Sequence, residues 1–416
     1  MTIYDKNLAK SHDDILERMA EALDIPPSKF EEASNRYHAI GNWLDRPESE
    51  IAQFKPAISP QGSFLLGTVT RPFTDAEEYD VDLVCRLEAT KADFTQKTLK
   101  EAVGREVALY AEAHGMADPD EGRRCWTLNY AAGAQFHMDI LPALPDAQHY
   151  QGVLLEKGFR ALASDADLTG RAIAITDNTL PNYEIASANW PLGNPSGYAV
   201  WFRNRMKVRL DEAKLAFAKR AHISASVDQI PDHKVKTPLQ RAIQLLKRHR
   251  DCMFAGDCEF RPISIIITTL AAHAYNEETT IAGALQSILT NMDRYIEDHD
   301  GVAWVANPVN PSENFADKWV GEPKKRANFY TWLDQARRDF GLYLRASKYD
   351  EMPTELRKNL GEDFVDRMMK AAVPASALGM PAIAATAASA DDMRRAEHAI
   401  HQIKQSGSQS KPWAKA

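Results

Sequence analysis

The 416-residue chain is poor in cysteine: it has four, at positions 85, 125, 252 and 258, and none forms a Cys-x-x-Cys pair. Such spacing supplies neither a disulfide framework nor a four-thiolate zinc site, so the expectation is four reduced thiols in a cytoplasmic protein. Positive charge is not in surplus either. Lys and Arg number 50 against 58 Asp and Glu, a net charge of −8. Non-specific coating of nucleic acid needs a net-positive face, so that class is set aside, although local basic clusters can still hold phosphates. Long apolar runs are missing too. Residues 1–10 carry charges and no apolar stretch of signal-peptide length. Residues 371–390 are uncharged, but they are rich in Ala and broken by Pro374, Gly379 and Pro381. That segment is too weakly apolar to span a bilayer and reads as a flexible linker.

What remains is a globular composition, 44% hydrophobic and 26% charged, long enough for two or three domains. Residues 11–45 predict two helices. Leu16, Met19, Ala20 and Leu23 mark the first, Pro26-Pro27 interrupts, and Ser28 caps a second through Tyr37, Ile40 and Leu44. Residues 63–144 turn toward strands, with a helix near 97–114. Residues 176–198 are rich in Asn, Pro and Gly and read as loops around short strands. Beyond about 205 the pattern is almost wholly helical. Thr237-Pro238 opens a helix through 254, Pro262 opens another through 275, and further helices cover 279–297, 312–345 and 353–371. The trio Trp190, Trp201 and Trp319 is assigned to the core. The layout is an α/β part with a mixed sheet, then a helical part, then a loose tail.

Three short pieces carry chemistry. In Tyr79-Asp-Val-Asp-Leu-Val-Cys85 the alternation is that of a strand, so Asp80 and Asp82 project on one face. Two carboxylates so placed repel, and a hard divalent cation relieves that cost. Taken alone, Asp-x-Asp also suits a solvated strand face. In Phe136-His-Met-Asp-Ile-Leu-Pro142, Asp139 is an isolated carboxylate in an apolar strand, expensive unless paired, solvated or metal-bound. His137 is assigned no role. Three carboxylates on neighbouring strands can hold two Mg²⁺ ions that clamp the attacking and leaving oxygens of a phosphoryl transfer. The third piece, Gln61-Gly-Ser-Phe-Leu-Leu-Gly-Thr68, offers Gly62 for close backbone approach and Ser63 as a phosphate cradle; alone it is an ordinary turn. A Gly-Ser turn, an Asp-x-Asp strand and a third strand Asp in this order match the nucleotidyltransferase fold of polymerase β type.

These blocks, with Asn194-Pro-Ser-Gly-Tyr-Ala-Val-Trp-Phe, Pro238-Leu-Gln-Arg-Ala-Ile-Gln-Leu-Leu-Lys-Arg-His-Arg, Pro262-Ile-Ser-Ile-Ile-Ile-Thr-Thr-Leu and Asn307-Pro-Val-Asn-Pro-Ser-Glu-Asn-Phe-Ala-Asp-Lys-Trp, extend over about residues 60–340. Together they resemble the bacterial cGAS/DncV-like nucleotidyltransferases, the CD-NTases of anti-phage CBASS systems, relatives of cGAS and oligoadenylate synthase. The resemblance implies a cytoplasmic, Mg²⁺-dependent enzyme (two ions, with Mn²⁺ as a substitute) that joins ATP and/or GTP into a cyclic oligonucleotide second messenger. The expected product is a purine-containing cyclic dinucleotide that alerts a downstream effector. Asp80, Asp82 and Asp139 are the expected catalytic metal ligands, with Gly62 and Ser63 on the donor triphosphate. Lys247 fits a lysine reaching the triphosphate from the helical lobe, and Ser264 a phosphate-touching serine. Read from the residues alone, Lys247 also suits a solvated basic face and Ser264 a helix cap. Asn307 to Asn310 reads as an ordered loop, either near the cleft or structural.

The expected division is a nucleotidyltransferase core with N-terminal helices at 1–205, a helical lobe closing the cleft at 206–370, and a flexible tail at 371–416. That tail suits conjugation or a regulatory partner as well as a plain disordered end. No membrane or nucleic-acid partner is expected. Two rival readings stay open: another enzyme of this fold acting on RNA or protein, and a catalytically inactive nucleotide-binding scaffold.

Overall fold

A computed structural model describes residues 3–72, 79–130, 136–220, 234–346 and 352–372. The tail expected at 371–416 therefore lies outside the described residues from 373 onward. A mixed seven-stranded sheet occupies the first half of the chain. Its strands are β1 (Ala57–Pro60), β2 (Tyr79–Arg86), β3 (Asp120–Glu121), β4 (Trp126–Asn129), β5 (Phe136–Pro145), β6 (Ile173–Ile175) and β7 (Leu192–Gly193). The order is β1-β2-β5-β4-β3. The long β5 pairs parallel with β2 along one edge, while its other edge is shared by β4 and then β6, both antiparallel. One face of β2 and β5 turns Tyr79, Val81, Leu83, Cys85, Phe136, Met138 and Ile140 into an apolar core that the helices Pro27–Leu44 and Gln96–Ala113 help to cover. Alternation then sends Asp80, Asp82, His137 and Asp139 to the other face.

A second, larger core belongs to the helical half. Helix Pro238–Met253 runs through it, started by a capping box in which Thr237 and Gln240 exchange side-chain bonds and Pro238 takes the first turn. Around it pack Ser264–Ala274, Ile281–Asn291, Pro323–Arg345 and Thr354–Leu360. The first helix, Ile3–Ala22, also joins this core through Ile15, Leu16, Met19 and Ala20, with Leu23 just past its end, as do Tyr198 and Phe202 of helix Pro195–Arg205. Chain order therefore does not match core membership.

Several local expectations change. The second helix begins at Pro27 with Pro26 before it, and Ser28 makes no cap. Gly62–Leu66 is a single helical turn rather than the start of a strand. The helical half also carries two hairpins: β8 (Glu297–His299) with β9 (Val302–Trp304), and β10 (Ala306–Asn307) with β11 (Asn310–Asn314). Trp190 and Trp319 are buried; Trp201 is half-buried and packs on His273. All four cysteines are free thiols, and burial pushes Cys85 up to about 12. Among the described residues no helix is long and apolar enough to cross a membrane.

Candidate active site

Parallel pairing fixes the centre of the site. The register of β2 against β5 sets Asp80 opposite His137 and Asp82 opposite Asp139. Period two puts all four on one face, a two-by-two patch on strands about 4.8 Å apart. Asp80, Asp82 and Asp139 each present a carboxylate oxygen within 4.8 Å of the others. Asp80 is exposed and pairs with His137 Nε2 at 3.4 Å, so the histidine left without a role lies against the site. Asp139 accepts from Thr127 Oγ1 (2.5 Å), which the β4–β5 register places opposite it. Asp82 lies deepest. Burial, then the charges of Asp80 and Asp139, push its carboxyl from 3.8 up to about 7, with His137 and Lys247 pulling the other way. Such mutual repulsion among oxygen donors fits a hard divalent cation, and the three carboxylates are the residues that would hold it. Burial and the neighbouring Asp139 also raise the Cys125 thiol to about 11, so it is no thiolate at neutral pH.

The Gly62-Ser63 turn closes one side. Gln61 N–H donates to the Asp82 carbonyl (2.8 Å), which ties the turn to β2. Gly62 has φ +57, and a Cβ there would come within 2.1 Å of Asp82 Oδ2. Glycine is thus required both for the backbone conformation and for the carboxylate's space.

Helix Pro238–Met253 holds the turn from the other lobe. Gln240 Nε2 donates to the Leu66 carbonyl (2.9 Å), Lys247 Nζ to Thr68 (2.9 Å) and Gln244 Nε2 to Val69 (2.8 Å). Lys236, just before the helix, donates to Gly67. Spacing of 240, 244 and 247 lines these donors along one helix face. Lys247 therefore lies on no solvated basic face: residues 239–250 of this helix are all buried. Burial, then Arg250, lowers the Lys247 ammonium to about 8, while Asp82 and Asp80 act to keep it charged. Ser264 is not a cap, since Ile263 precedes the helix; it accepts from Arg250 Nη1 (2.9 Å).

Beside the carboxylates opens a cavity of about 400 Å³, within the usual size of a small-ligand site. Gly62, Asp82, Asp139, Leu141 and Ile175 line it from the sheet side. Tyr198, Ile265, Asn307, Glu313 and Phe315 line it from the helical side, and Arg124 also borders it. Asn307 thus faces the cleft. Among the described lining residues, Lys247 and Ser264 do not appear; Ile265 takes the place beside Ser264. Thr127, Arg124, Tyr198 and Glu313 escape sequence reading because nothing in their local spacing marks them.

Residues 56–142 match the family model described as "Cyclic GMP-AMP synthase DncV-like, nucleotidyltransferase domain". Over these residues the chain is similar to DncV-like nucleotidyltransferases. All three carboxylates and the Gly62-Ser63 turn fall inside the matched stretch; Lys247 and Ser264 fall outside. The chain is 29% identical over 374 residues to a c-di-GMP synthase of Roseivirga ehrenbergii, covering 89% of each. It is 25% identical over 378 residues to the cyclic dinucleotide synthase CdnG of Bradyrhizobium diazoefficiens, covering 88% of this chain and 84% of that one. A solved structure of that CdnG, in complex with GTP, superposes with a TM-score of 0.64 over 86% of this chain and 98% of that one, at 22% identity. The fold is accordingly the mixed α/β nucleotidyltransferase fold followed by a helical part.

Proposed function

We propose that this chain is a cyclic dinucleotide synthase that condenses two purine nucleoside triphosphates, GTP among them, with release of pyrophosphate. One observation carries the reading: three carboxylates converge within 4.8 Å at the edge of a cavity large enough for a nucleotide. The similarity to two cyclic dinucleotide synthases along nearly the whole chain supports it.

Asp80, Asp82 and Asp139 would hold Mg²⁺, two ions in the full site, with Mn²⁺ as a substitute. Bound there, the cations would neutralise donor phosphate charge and lower the pKa of the attacking hydroxyl. The chain's own groups supply placement. Thr127 Oγ1 orients Asp139. In this reading Asp139 would also help to deprotonate the attacking hydroxyl. Gly62 lets the donor phosphates approach Asp82 closely, and Ser63 donates to them from the partly exposed start of the turn. Lys247 contributes positive charge behind the turn, and Ser264, aligned by Arg250, reaches phosphate from the helical side. Catalysis is mainly positioning and electrostatics. In this reading residues 1–205 carry the carboxylates, 206–370 close the cleft, and the product acts as a messenger to an effector in anti-phage defence.

The test is to incubate the purified chain with Mg²⁺ and the four NTPs, each labelled in turn on its α-phosphate. Phosphatase treatment and mass spectrometry follow. A phosphatase-resistant product lacking terminal phosphates, absent with Asp80→Asn and Asp82→Asn, is expected. A phosphatase-sensitive linear product, or transfer to RNA or protein, points to another enzyme of the same fold. No product with either metal points to a binding scaffold.

A further inference from the structure

The cavity has a polar wall that the phosphoryl chemistry does not use. Asn307 and Glu313 belong to the paired strands β10 and β11, and Asn307 Nδ2 donates to Glu313 Oε2 (2.7 Å). The Val309 N–H donates to Asn307 Oδ1 (3.0 Å), which fixes which end of the amide faces Glu313. Glu313 is exposed, but to the cavity. The protein around it raises its carboxyl above the ordinary value, and the Asn307 bond and the charge of Arg124 act against that rise. Arg124 borders the same cavity, and its Nε donates to Asp177 Oδ2 (3.0 Å), a carboxylate gripped also by Arg123. Away from Asp82 and Asp139, the lining includes Leu141, Ile175, Ile265 and Phe315, which offer apolar surfaces for a flat ring.

An anchored carboxylate and an anchored guanidinium beside apolar surfaces, on the wall away from the catalytic carboxylates, select among nucleobases. Guanine presents two adjacent donors, N1–H and the 2-amino group, which match the two oxygens of a carboxylate. It also presents O6 and N7, the acceptor pair that a guanidinium fits. Adenine instead turns its N1 lone pair toward the carboxylate. Uracil has one ring N–H between two carbonyls and offers no paired donors. We propose that Glu313 reads the N1–H and 2-amino edge of a guanine base seated in this cavity, with Arg124 on the O6 and N7 side. The inference rests on the nucleotide-binding reading above and adds the residue that sets base choice.

Inosine triphosphate is the deciding probe, because it differs from GTP only in lacking the 2-amino group. Affinities for GTP, ITP and ATP are measured on the full chain with Mg²⁺ from the ligand-dependent rise in Tm, and pyrophosphate release is followed in parallel. Wild-type protein should favour GTP over ITP by about ten- to hundredfold, and over ATP by at least as much. Glu313→Ala should bring that GTP-to-ITP ratio to about one, with ITP weakened less than GTP because hypoxanthine loses only its N1–H contact. Glu313→Gln keeps the shape and removes the charge, and should collapse the ratio as well, which covers the case in which the alanine variant does not fold. Equal losses for GTP, ITP and ATP on substitution would assign Glu313 to ribose or to structure and overturn the proposal. So would a wild-type protein that binds GTP and ITP alike. Wild-type protein that binds no nucleotide of any base would overturn the nucleotide-binding reading itself, a failure distinct from these two.

Discussion

Asp82 occupies the space that any side chain at Gly62 would need. A Cβ on Gly62 would stand 2.1 Å from Asp82 Oδ2, at a φ of +57. The backbone conformation alone disfavours an L residue by about 1–2 kcal/mol, and the contact forces either the turn or the carboxylate to move. Gly62→Ala should therefore cut pyrophosphate release by more than about a hundredfold, since displacements of this size disturb reactive geometry. Tm should fall by only a few degrees. Activity within threefold of wild type would show that the turn can yield without disturbing the carboxylates.

The same carboxylate makes the metal-free protein sensitive to pH. Burial and its two acidic neighbours raise Asp82 from 3.8 to about 7. The folded state then holds this proton more tightly than the unfolded chain does. Stability contributed by the protonated form is fully present below about pH 4 and is lost as pH rises through about 7. Asp82→Asn removes that cost. In chelator, wild-type Tm should fall more steeply between pH 5 and pH 8 than that of Asp82→Asn, and Mg²⁺ should restore only the wild type. Divalent-cation affinity should rise with pH up to about 7 and then flatten, as titration calorimetry would read. Parallel Tm curves for the two proteins would refute the electrostatic account.

How much of this could be read from residues alone depends on the range of the interaction. The strands carrying Asp80, Asp82 and Asp139 show in their own alternation, because a strand with one buried face writes its period into local sequence. The neighbouring placement of Asp82 and Asp139 depends on parallel register, which no local pattern encodes. Lys247-Arg-His-Arg250 looked like a polar face because charged residues usually face water. Here the charges have partners within the protein, most of them distant in sequence: Arg248 donates to the Leu360 carbonyl, His249 pairs with Asp339, and Arg250 binds the Pro262 carbonyl as well as the adjacent Asp251. The hairpins at 297–314 are too short and polar to show a period, so Glu313 entered the cavity unannounced. The resemblance of whole blocks supplied what local pattern could not, namely that distant pieces belong to one site.

Lys247 reaches across 179 positions of sequence to the Thr68 carbonyl, behind the turn that flanks the carboxylates. Its buried ammonium, lowered to about 8, is near the edge of its charged range at neutral pH, and anionic phosphate would favour the charged form. Lys247→Met keeps most of the volume and removes the charge. The expected result is a KM for nucleotide raised about tenfold or more, a smaller change in kcat, and a Tm within a few degrees of wild type. A steep fall in Tm with unchanged KM in the folded fraction would leave Lys247 a purely structural role.

Asp339 tests the opposite case, a buried charge far from any proposed chemistry. It accepts from His249 Nε2 (3.0 Å), Asn359 Nδ2 (2.9 Å) and Gln335 Nε2 (2.7 Å), joining three helices of the second core. Burial would raise its pKa, but the bonds from His249 and Asn359, then the remaining contacts, outweigh that and hold it below 3.8. A depressed carboxylate contributes stability above about pH 4 and loses it as pH falls through its folded value. Asp339→Ala leaves two buried donors, His249 and Asn359, and the half-buried Gln335 without an acceptor and should cost about 3–5 kcal/mol at pH 7. The deficit should narrow as pH falls toward 3, because the wild type then loses the same contribution. Asp339→Asn, which keeps an acceptor oxygen, should lose less. Pyrophosphate release per folded molecule should match wild type in both variants. A selective loss of activity in a fully folded Asp339→Asn protein would tie this network to the cleft through helix Pro238–Met253, whose other donors grip residues 66–69.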